Sequence, residues 1–151
     1  YNQNRQQEVC HIFEMGHVFA KGLEKTHLAV AMSGAWHQSS WQKESVKTDF
    51  YLLKGMLEKL SKQIGIKLEY VPTSSHETLH PYRQADLVLK DKVIGYIGEI
   101  HPKEQKALDI GLTYIAELDF EAIMEHKLSF TFQSISKYPN ISRDLALHCN
   151  Y

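Results

Sequence analysis

Arginine is scarce in this 151-residue chain, in which only Arg5, Arg83 and Arg143 occur. Planar, bidentate recognition of phosphate groups favours arginine. The 17 basic and 18 acidic residues also leave a formal net charge of −1, whereas a nucleic-acid-binding domain usually presents a basic patch. The composition therefore disfavours a nucleic-acid-binding module, which we keep as an alternative.

Cysteine, long apolar runs and common enzyme motifs are scarce as well. Cys10 and Cys149 lie near opposite ends of the chain, so we predict neither a disulfide framework nor a Cys-x-x-Cys site, and we expect a reducing cytoplasm. No run approaches the ~20 apolar residues that span a bilayer, so we expect no membrane partner. Without a Gly-x-Ser-x-Gly, a Gly-x-Gly-x-x-Gly or a Walker sequence, no nucleophile elbow or phosphate loop is predicted.

The strongest local pattern is a hairpin that leads into a helix. Apolar and polar residues alternate over 85–90, and a second apolar run covers Val93–Ile100 after the polar pair Asp91-Lys92. Two such runs with so short a break predict an antiparallel hairpin. Gly95 and Gly98 in the second run indicate a close approach of backbone or ligand.

Other segments predict more strands and one long helix. An apolar stripe with a 3.6-residue period predicts an amphipathic helix over Asp49–Ile64, and Gly55 inside it suggests a tight crossing over a sheet. Shorter helices are predicted from Pro102 to about Ile110 and over Phe120–His126, and Gly34–Thr48 is predicted to be a loop. Further strands are predicted at Val9–Met15, His17–Ala20, Thr26–Ser33, Ile66–Tyr70 and Tyr114–Phe120. The expected fold class is α+β, with an antiparallel sheet and the long helix packed on one face.

The pattern changes after Lys127. Residues 128–151 show no helical period, and Pro139 argues against a central strand there. A new alternation begins at Leu145 and Leu147. We therefore place a domain boundary near Lys127 and expect residues 128–151 not to complete the main domain.

Few residues suggest chemistry. Among the nine histidines only His76 and His80 have a ligand-like spacing, and no cysteine is near them, so no metal site is predicted. Glu99 and Asp119 stand at strand ends, where carboxylates more often pair with a lysine or cap a helix than act as acids or bases. Arg83 is expected to bridge a carboxylate or backbone carbonyls. No active site is predicted, and a stand-alone enzyme with a cleft near Arg83 and Glu99 is the less favoured alternative.

Aromatic side chains supply the candidates for a protein interface. Trp36 and Trp41 are expected to pin their loop to the core, because buried tryptophan usually serves packing. Where such side chains are exposed, they would instead mark a contact surface, since Trp and Tyr are enriched at interfaces. The interface candidates are Trp36, Trp41, Tyr82 and Arg83.

Five short strings form a distinctive set by their order and spacing. They are Phe13–Phe19 (FEMGHVF), Asp49–Gly55 (DFYLLKG), His80–Ala85 (HPYRQA), Gly95–Pro102 (GYIGEIHP) and Lys137–Leu147 (KYPNISRDLAL). With this set the chain resembles the C-terminal part of the phenylalanyl-tRNA synthetase beta subunit. It departs from that family at Tyr82, where a glycine is usual, and at His17, where an arginine is frequent.

This resemblance implies two domains. Residues 1–127 would be a copy of the class II aminoacyl-tRNA synthetase catalytic fold, an antiparallel sheet flanked by helices, that has lost its active site. Residues 128–151 would be a linker and the first strand of a truncated, ferredoxin-like anticodon-binding domain. A working class II site clamps ATP with two arginines, but the matching segments Phe13–Phe19, read as a strand-loop-strand, and Val93–Ile100 contain none.

The resemblance also implies a larger assembly. In that family the holoenzyme attaches phenylalanine to its tRNA with ATP and magnesium, and it is a heterotetramer of alpha and beta subunits. The present module would have a structural role, packing on the alpha subunit and helping to position tRNA. We accordingly assign no catalytic, cofactor-binding or metal-binding residue.

Overall fold

A computed structural model describes residues 9–20, 22–38 and 45–126. Eight strands and three helices are defined in these ranges. The strands are β1 (Cys10–Ala20), β2 (Leu23–Ser33), β3 (Ala35–Gln38), β4 (Ser45–Lys47), β5 (Glu69–Pro72), β6 (Leu79–Leu89), β7 (Lys92–Ile100) and β8 (Thr113–Asp119). The helices are α1 (Phe50–Ile64), α2 (Pro102–Ala107) and α3 (Phe120–Glu125).

Six of the strands form one antiparallel sheet in the order β1-β2-β8-β7-β6-β5. The predicted α+β class with an antiparallel sheet is therefore confirmed. The remaining two strands, β3 and β4, pair in a separate small sheet. They lie within Gly34–Thr48, so the prediction that this whole segment is a loop was wrong. The two ends of the segment lie close together, because Gly34 turns with a φ of 81° and its carbonyl accepts a hydrogen bond from the Thr48 N–H at 2.9 Å.

The α1 helix forms where the apolar stripe predicts it. The Asp49 side chain caps its start by accepting a hydrogen bond from the Leu52 N–H at 2.7 Å, and Gly65 ends it with a left-handed φ of 83°. The helix packs on β7 and β8 and buries Leu53 and Leu57. The side chains that this helix covers join one core cluster with Leu87, Ile97, Ala116, Leu118 and Ile123.

Gly55 does not mark the close crossing that the sequence suggested. A Cβ atom built on Gly55 would meet no atom within 4 Å, and the residue is exposed. The side of α1 that carries Gly55 therefore faces away from the sheet, and nothing in the described fold explains the glycine.

The first strand differs from its prediction. Gly16 was expected to separate two short strands, but β1 runs without a break through Gly16, which pairs with His27 of β2. The chain reverses at Gly22, whose φ of 84° is the left-handed value that glycine adopts without strain. The strand-loop-strand expected at Phe13–Phe19 is thus a single strand.

The predicted hairpin is confirmed as β6 and β7, with a small shift of its turn. Lys90 and Asp91 have positive φ values of 48° and 65°, the signature of a type I′ turn, so the turn lies one residue earlier than predicted. Gly95 marks a close backbone approach, because a Cβ atom there would lie 2.0 Å from the carbonyl oxygen of Glu117 on β8.

The ends of one strand and one helix differ from their predictions because of local backbone features. The fifth strand ends at Pro72 instead of Tyr70, which is tolerated because β5 is an edge strand. The second helix stops at Ala107, since Asp109 turns to a φ of 51° and the Ile110 N–H bonds back to the Gln105 carbonyl. Within the ranges given above, no helix is both long and apolar enough to cross a bilayer. The boundary near Lys127 and the tail 128–151 lie outside the described residues.

Candidate functional site

The sheet has two unlike faces. Residues that pair directly across neighbouring strands point to the same side. On the side opposite α1, His27 pairs with Asp119, and Tyr96 pairs with both Glu117 and Asp86. We call this side the polar face, defined by Lys25, His27, Asp86, Tyr96, Glu117 and Asp119.

Glu117 is the centre of the polar face. The Tyr96 hydroxyl donates a hydrogen bond to its Oε2 at 2.7 Å, and His27 Nδ1 lies 2.7 Å from its Oε1. The bond from Tyr96 lowers the pKa of Glu117; burial opposes this effect and the bond from His27 adds to it. Burial, together with the Glu117 carboxylate, raises the pKa of Tyr96 to about 12. The trio therefore holds an ionised carboxylate between two donors.

A loop residue extends this network. His76 lies between β5 and β6, with its Nε2 2.8 Å from Asp86 Oδ1 and its ring centroid 4.6 Å from that of Tyr96. The Gln84 side chain fixes the loop, because its carbonyl accepts from the His76 N–H at 3.1 Å and its amide donates to the His76 carbonyl at 3.3 Å. His76 is thus held over Tyr96, and the network reaches from β2 to β6.

A second ion pair occupies the end of the polar face nearest α3. Lys25 Nζ lies 2.6 Å from Asp119 Oδ2, while Asp119 Oδ1 accepts from the Ala122 N–H at 3.0 Å and so caps α3. Burial alone would raise the pKa of Asp119, but the bonds from Lys25 and Ala122 lower it overall. The prediction that Asp119 pairs with a lysine or caps a helix is confirmed on both counts.

The polar face has room for a small ligand, but both of its described cationic side chains already face a carboxylate. A cavity of about 370 Å³ is bounded by Lys25, His27, Tyr96, Glu117 and Asp119 with apolar neighbours. The two cationic or potentially cationic side chains, Lys25 and His27, each face a carboxylate. Over the described ranges no three His, Cys, Asp or Glu side chains converge as a metal site would need.

Arg83 lies on the other side of the sheet, beside α1. Its Nη1 is 2.6 Å from Glu99 Oε2, and only 4% of the Glu99 side chain is exposed. The hydrogen bond and charge of Glu99 raise the pKa of Arg83. The prediction that Arg83 bridges a carboxylate is confirmed, and Glu99 likewise has a structural partner.

The interface candidates fall on two separate grooves. Tyr82 is 91% exposed and, with Tyr51 and Arg83, borders a groove of about 470 Å³ between α1 and the β5–β6 edge. Trp36 is 43% exposed and stands beside His11 at a ring separation of 5.3 Å. Its groove, of about 840 Å³, is apolar and lies between β1, β2, α1 and α3.

The expectation that both tryptophans pin their loop to the core was therefore incorrect for Trp36, because the short β3–β4 sheet carries it at the rim of a groove. Trp41 lies outside the described residues.

The sequence did not predict the hydrogen-bonded trio on the polar face. His27, Tyr96 and Glu117 are far apart along the chain, and only the strand register brings them together. One signal was available: Glu117 is a charged residue in the middle of the apolar strand 113–119, where an ionised side chain needs a partner.

Comparison with known proteins gives a consistent result. The family model of the phenylalanyl tRNA synthetase beta chain CLM domain matches residues 1–120. The chain belongs to this family. Similar curated proteins are the phenylalanine–tRNA ligase beta subunits of Bacillus licheniformis, 36% identical over 156 residues, and of Listeria monocytogenes, 38% identical over 155 residues.

Coverage in these comparisons is unequal. Each alignment covers 97% of this chain but only 19% of the relative, so this CLM family chain spans about a fifth of the length of the curated relatives it matches. A third relative, from Streptococcus pyogenes, is 36% identical over 97% of the chain and 20% of its own length. Membership of the CLM family is therefore shown for the region that the chain covers.

Proposed function

We propose that this chain is part of the beta subunit of a phenylalanine–tRNA ligase and that it contributes structure, not catalysis, to the joining of phenylalanine to tRNA. Residues 1–127 form a class II synthetase-like module, and residues 128–151 lead into an anticodon-binding domain. ATP and magnesium act elsewhere in a cytoplasmic holoenzyme. Support comes from the family membership and from the antiparallel sheet with a helix on one face.

The observation that carries the non-catalytic role is the distribution of positive charge. Formation of an adenylate develops charge on phosphate, which an enzyme stabilises with fixed cations and donors. On the polar face, Lys25 and His27 are each turned to a carboxylate. Arg83, the only arginine in the described part of the chain, lies on the opposite face and is bonded to Glu99. A triphosphate on the polar face would therefore meet Glu117 and Asp119, and among the described residues of this face no cation is left to balance its charge.

We infer that the alpha subunit docks on the groove bordered by Tyr51, Tyr82 and Arg83. Tyr82 projects almost fully into solvent, and exposed tyrosines beside an arginine are characteristic of protein interfaces. The apolar groove at Trp36 is the second candidate surface for this subunit. Positioning of tRNA then follows from the place of the module within the assembled heterotetramer.

The test of this function uses the reconstituted holoenzyme and the chain itself. Substituting the centre of the polar face, by His27→Gln with Glu117→Gln, should change the aminoacylation rate by less than about 3-fold, whereas loss of a general acid or base costs 10² or more. A fall of that size, or phenylalanine-dependent ATP–pyrophosphate exchange by the purified chain alone, would overturn the non-catalytic reading.

Docking is tested separately by affinity for the alpha subunit. Tyr82→Ser should weaken binding of the chain by ~10-fold or more if the tyrosine is a central contact. Leu108→Ser, at the C-cap of α2, is the matched control, because Leu108 is also an exposed large residue but lies away from this groove. Equal affinities of the two variants would count against the Tyr82 groove, and Trp36→Ser then tests the second surface.

A further inference from the structure

Aromatic rings form much of the wall of the groove beside Tyr82. The groove has a volume of about 470 Å³, and its aromatic residues are Phe50, Tyr51, Tyr70, Tyr82 and Tyr114. Tyr82 is 91% exposed and Tyr51 is 76% exposed, so most of each side chain is open to solvent. All lining residues lie between positions 49 and 114, inside the continuous described range 45–126. The walls of the groove therefore do not depend on residues near either end of the chain.

Local contacts hold the two exposed tyrosines. The rings of Phe50 and Tyr51 meet edge to face, with their centroids 5.7 Å apart. The Tyr82 N–H donates a hydrogen bond to Nδ1 of His80 at 3.2 Å, and the centroids of these two rings are 6.1 Å apart. Because tyrosine has few rotatable bonds, ordering it in a contact costs little conformational entropy. Tyr51 and Tyr82 thus form a surface that needs little rearrangement to bind a partner.

Side chains of the groove supply hydrogen-bond donors. In the described part of the chain, neither the Tyr51 hydroxyl nor the Tyr82 hydroxyl has a hydrogen-bond partner. A guanidinium carries five N–H donors, and Arg83, with 57% of its side chain exposed, uses Nη1 for Glu99. These groups favour a partner that offers acceptors.

Two side-chain acceptors of the same groove are already engaged. Asp49 caps α1 by accepting from the Leu52 N–H, and the Gln84 carbonyl accepts from the His76 N–H. A partner that brings many N–H groups would therefore leave some of them unpaired, which is costly in a contact. A partner with few N–H groups and accessible carbonyls fits better.

An extended segment that contains proline has this chemistry. Proline has no backbone N–H, and the polyproline II conformation has no internal hydrogen bonds, so its carbonyls are free to accept. Such segments bind in aromatic-lined grooves. We propose that the Tyr82 groove takes a proline-containing, extended segment of the alpha subunit, with the Tyr51 and Tyr82 hydroxyls donating to its carbonyls. This inference rests on the docking surface proposed above and specifies what that surface recognises.

Other peptide conformations fit the groove less well. The carbonyls of a helix accept hydrogen bonds within the helix, so they would leave the tyrosine hydroxyls unpaired. A strand added to β5 would gain little, because β5 has only four residues and ends at Pro72, which has no N–H to donate.

Single-stranded RNA is the competing class of ligand, because bases also stack on exposed aromatic rings. A phosphate backbone requires several unpaired cations. Lys54 and Arg83 line the groove, but they lie 3.5 Å and 2.6 Å from the carboxylates of Glu58 and Glu99. The charges therefore favour a peptide over a nucleic acid.

Fluorescence polarisation with a labelled peptide of ten prolines tests this recognition on the purified chain. We expect saturable binding with a dissociation constant below about 1 mM, and no binding of a labelled Gly-Ser peptide of the same length. Tyr51→Phe and Tyr82→Phe each remove only a hydroxyl and should weaken binding by about 3- to 10-fold, as the loss of one hydrogen bond does. Leu108→Ser is the control and should bind like the wild type. Absence of saturation, or equal binding of the Gly-Ser peptide, overturns the proposal.

Affinity for the alpha subunit separates this inference from the docking on which it rests. The proline peptide should compete with the alpha subunit, and Tyr82→Phe should weaken the complex by about 3- to 10-fold. If Tyr82→Ser weakens the complex but Tyr82→Phe and the peptide do not, the docking stands and the recognition of proline is wrong. If the peptide binds but Tyr82→Ser leaves the complex unchanged, the docking itself fails. A uridine oligonucleotide that binds more tightly than the peptide, with an affinity that falls as salt rises, would assign the groove to RNA instead.

Discussion

The two faces of the six-stranded sheet use the same strands for opposite purposes. On the face that α1 covers, Leu53, Ile97 and Leu118 are buried completely and have no polar partner to satisfy. On the polar face, the corresponding positions carry His27, Tyr96 and Glu117, which are half-buried and bonded to one another. Packing on the face that α1 covers depends on side-chain volume, whereas the arrangement of the polar face depends on hydrogen-bond geometry.

The apolar face therefore contributes most of the stability, and the polar face carries most of the functional groups. A closely packed apolar face tolerates little change in side-chain volume, whereas partly exposed polar pairs contribute modestly to stability. A module of this kind can therefore exchange the groups on its polar face without unfolding. Under the non-catalytic function proposed above, this property would allow the module to keep a structural role without an active site.

The largest expected effect is on the covered face. Leu53→Ala on α1 should lower the free energy of unfolding by about 2–5 kcal/mol, because it removes buried methyl groups and leaves a cavity. Urea unfolding followed by circular dichroism measures the loss. Tyr51→Ala, on the exposed side of the same helix, should change stability by no more than about 0.5 kcal/mol. Similar losses from both variants would contradict the assignment of the two sides of α1.

The next effect concerns the spacing of β7 and β8. Gly95→Ala should destabilise the chain by about 1–3 kcal/mol or more, as overpacking does, because its Cβ would meet the Glu117 carbonyl oxygen at 2.0 Å. The same urea titration applies. A variant as stable as the wild type would mean that the two strands separate easily and that the polar face is not held by this contact.

The sequence predicted what is local. The helix α1 was predicted from its apolar stripe, and the β6–β7 hairpin from the alternation of side chains and a polar break. Gly16 misled, because a glycine can stay extended inside a strand as readily as it can turn. The short β3–β4 sheet was not predicted, because each of its strands has only three or four residues and shows too little alternation to be recognised.

The site was predictable only in part. Asp119 caps α3, which begins at the next residue, so this role followed from its position. Its lysine partner, Lys25, is 94 residues away, and Glu99 pairs with Arg83 instead of with a lysine or a helix N-terminus.

The trio of His27, Tyr96 and Glu117 did not follow from the sequence, because it depends on the registers of β2 with β8 and of β7 with β8. Register between strands that are distant in sequence is set by the whole sheet.

A smaller effect is expected on the polar face. Glu117→Gln should cost about 1 kcal/mol at pH 7, because it replaces charge-assisted hydrogen bonds by neutral ones. The folded-state pKa of Glu117 lies below its ordinary value of 4.5. The stabilisation is therefore present above pH 4.5 and is lost as the pH falls through the folded pKa. The difference between wild type and variant in urea titrations should shrink between pH 5 and about pH 3.

A control separates this response from general acid effects. Glu58→Gln removes an exposed carboxylate that pairs with Lys54 within α1, and it should change stability at pH 7 by no more than about 0.5 kcal/mol. A difference between Glu117→Gln and wild type that stays constant down to pH 3 would show that Glu117 is not held ionised by Tyr96 and His27.

The smallest expected effect has the opposite sign. Gly55→Ala should raise the free energy of unfolding by about 0.5–1 kcal/mol, because alanine favours the helix and restricts the unfolded chain. The new methyl group meets no atom within 4 Å, in contrast to Gly95→Ala, so the two glycines form a matched pair. An unchanged or lowered stability would mean that the α1 backbone at Gly55 is not helical in solution. If stability rises while alpha-subunit affinity falls, the glycine serves a contact on the outer side of α1, and the docking groove at Tyr82 extends along this helix.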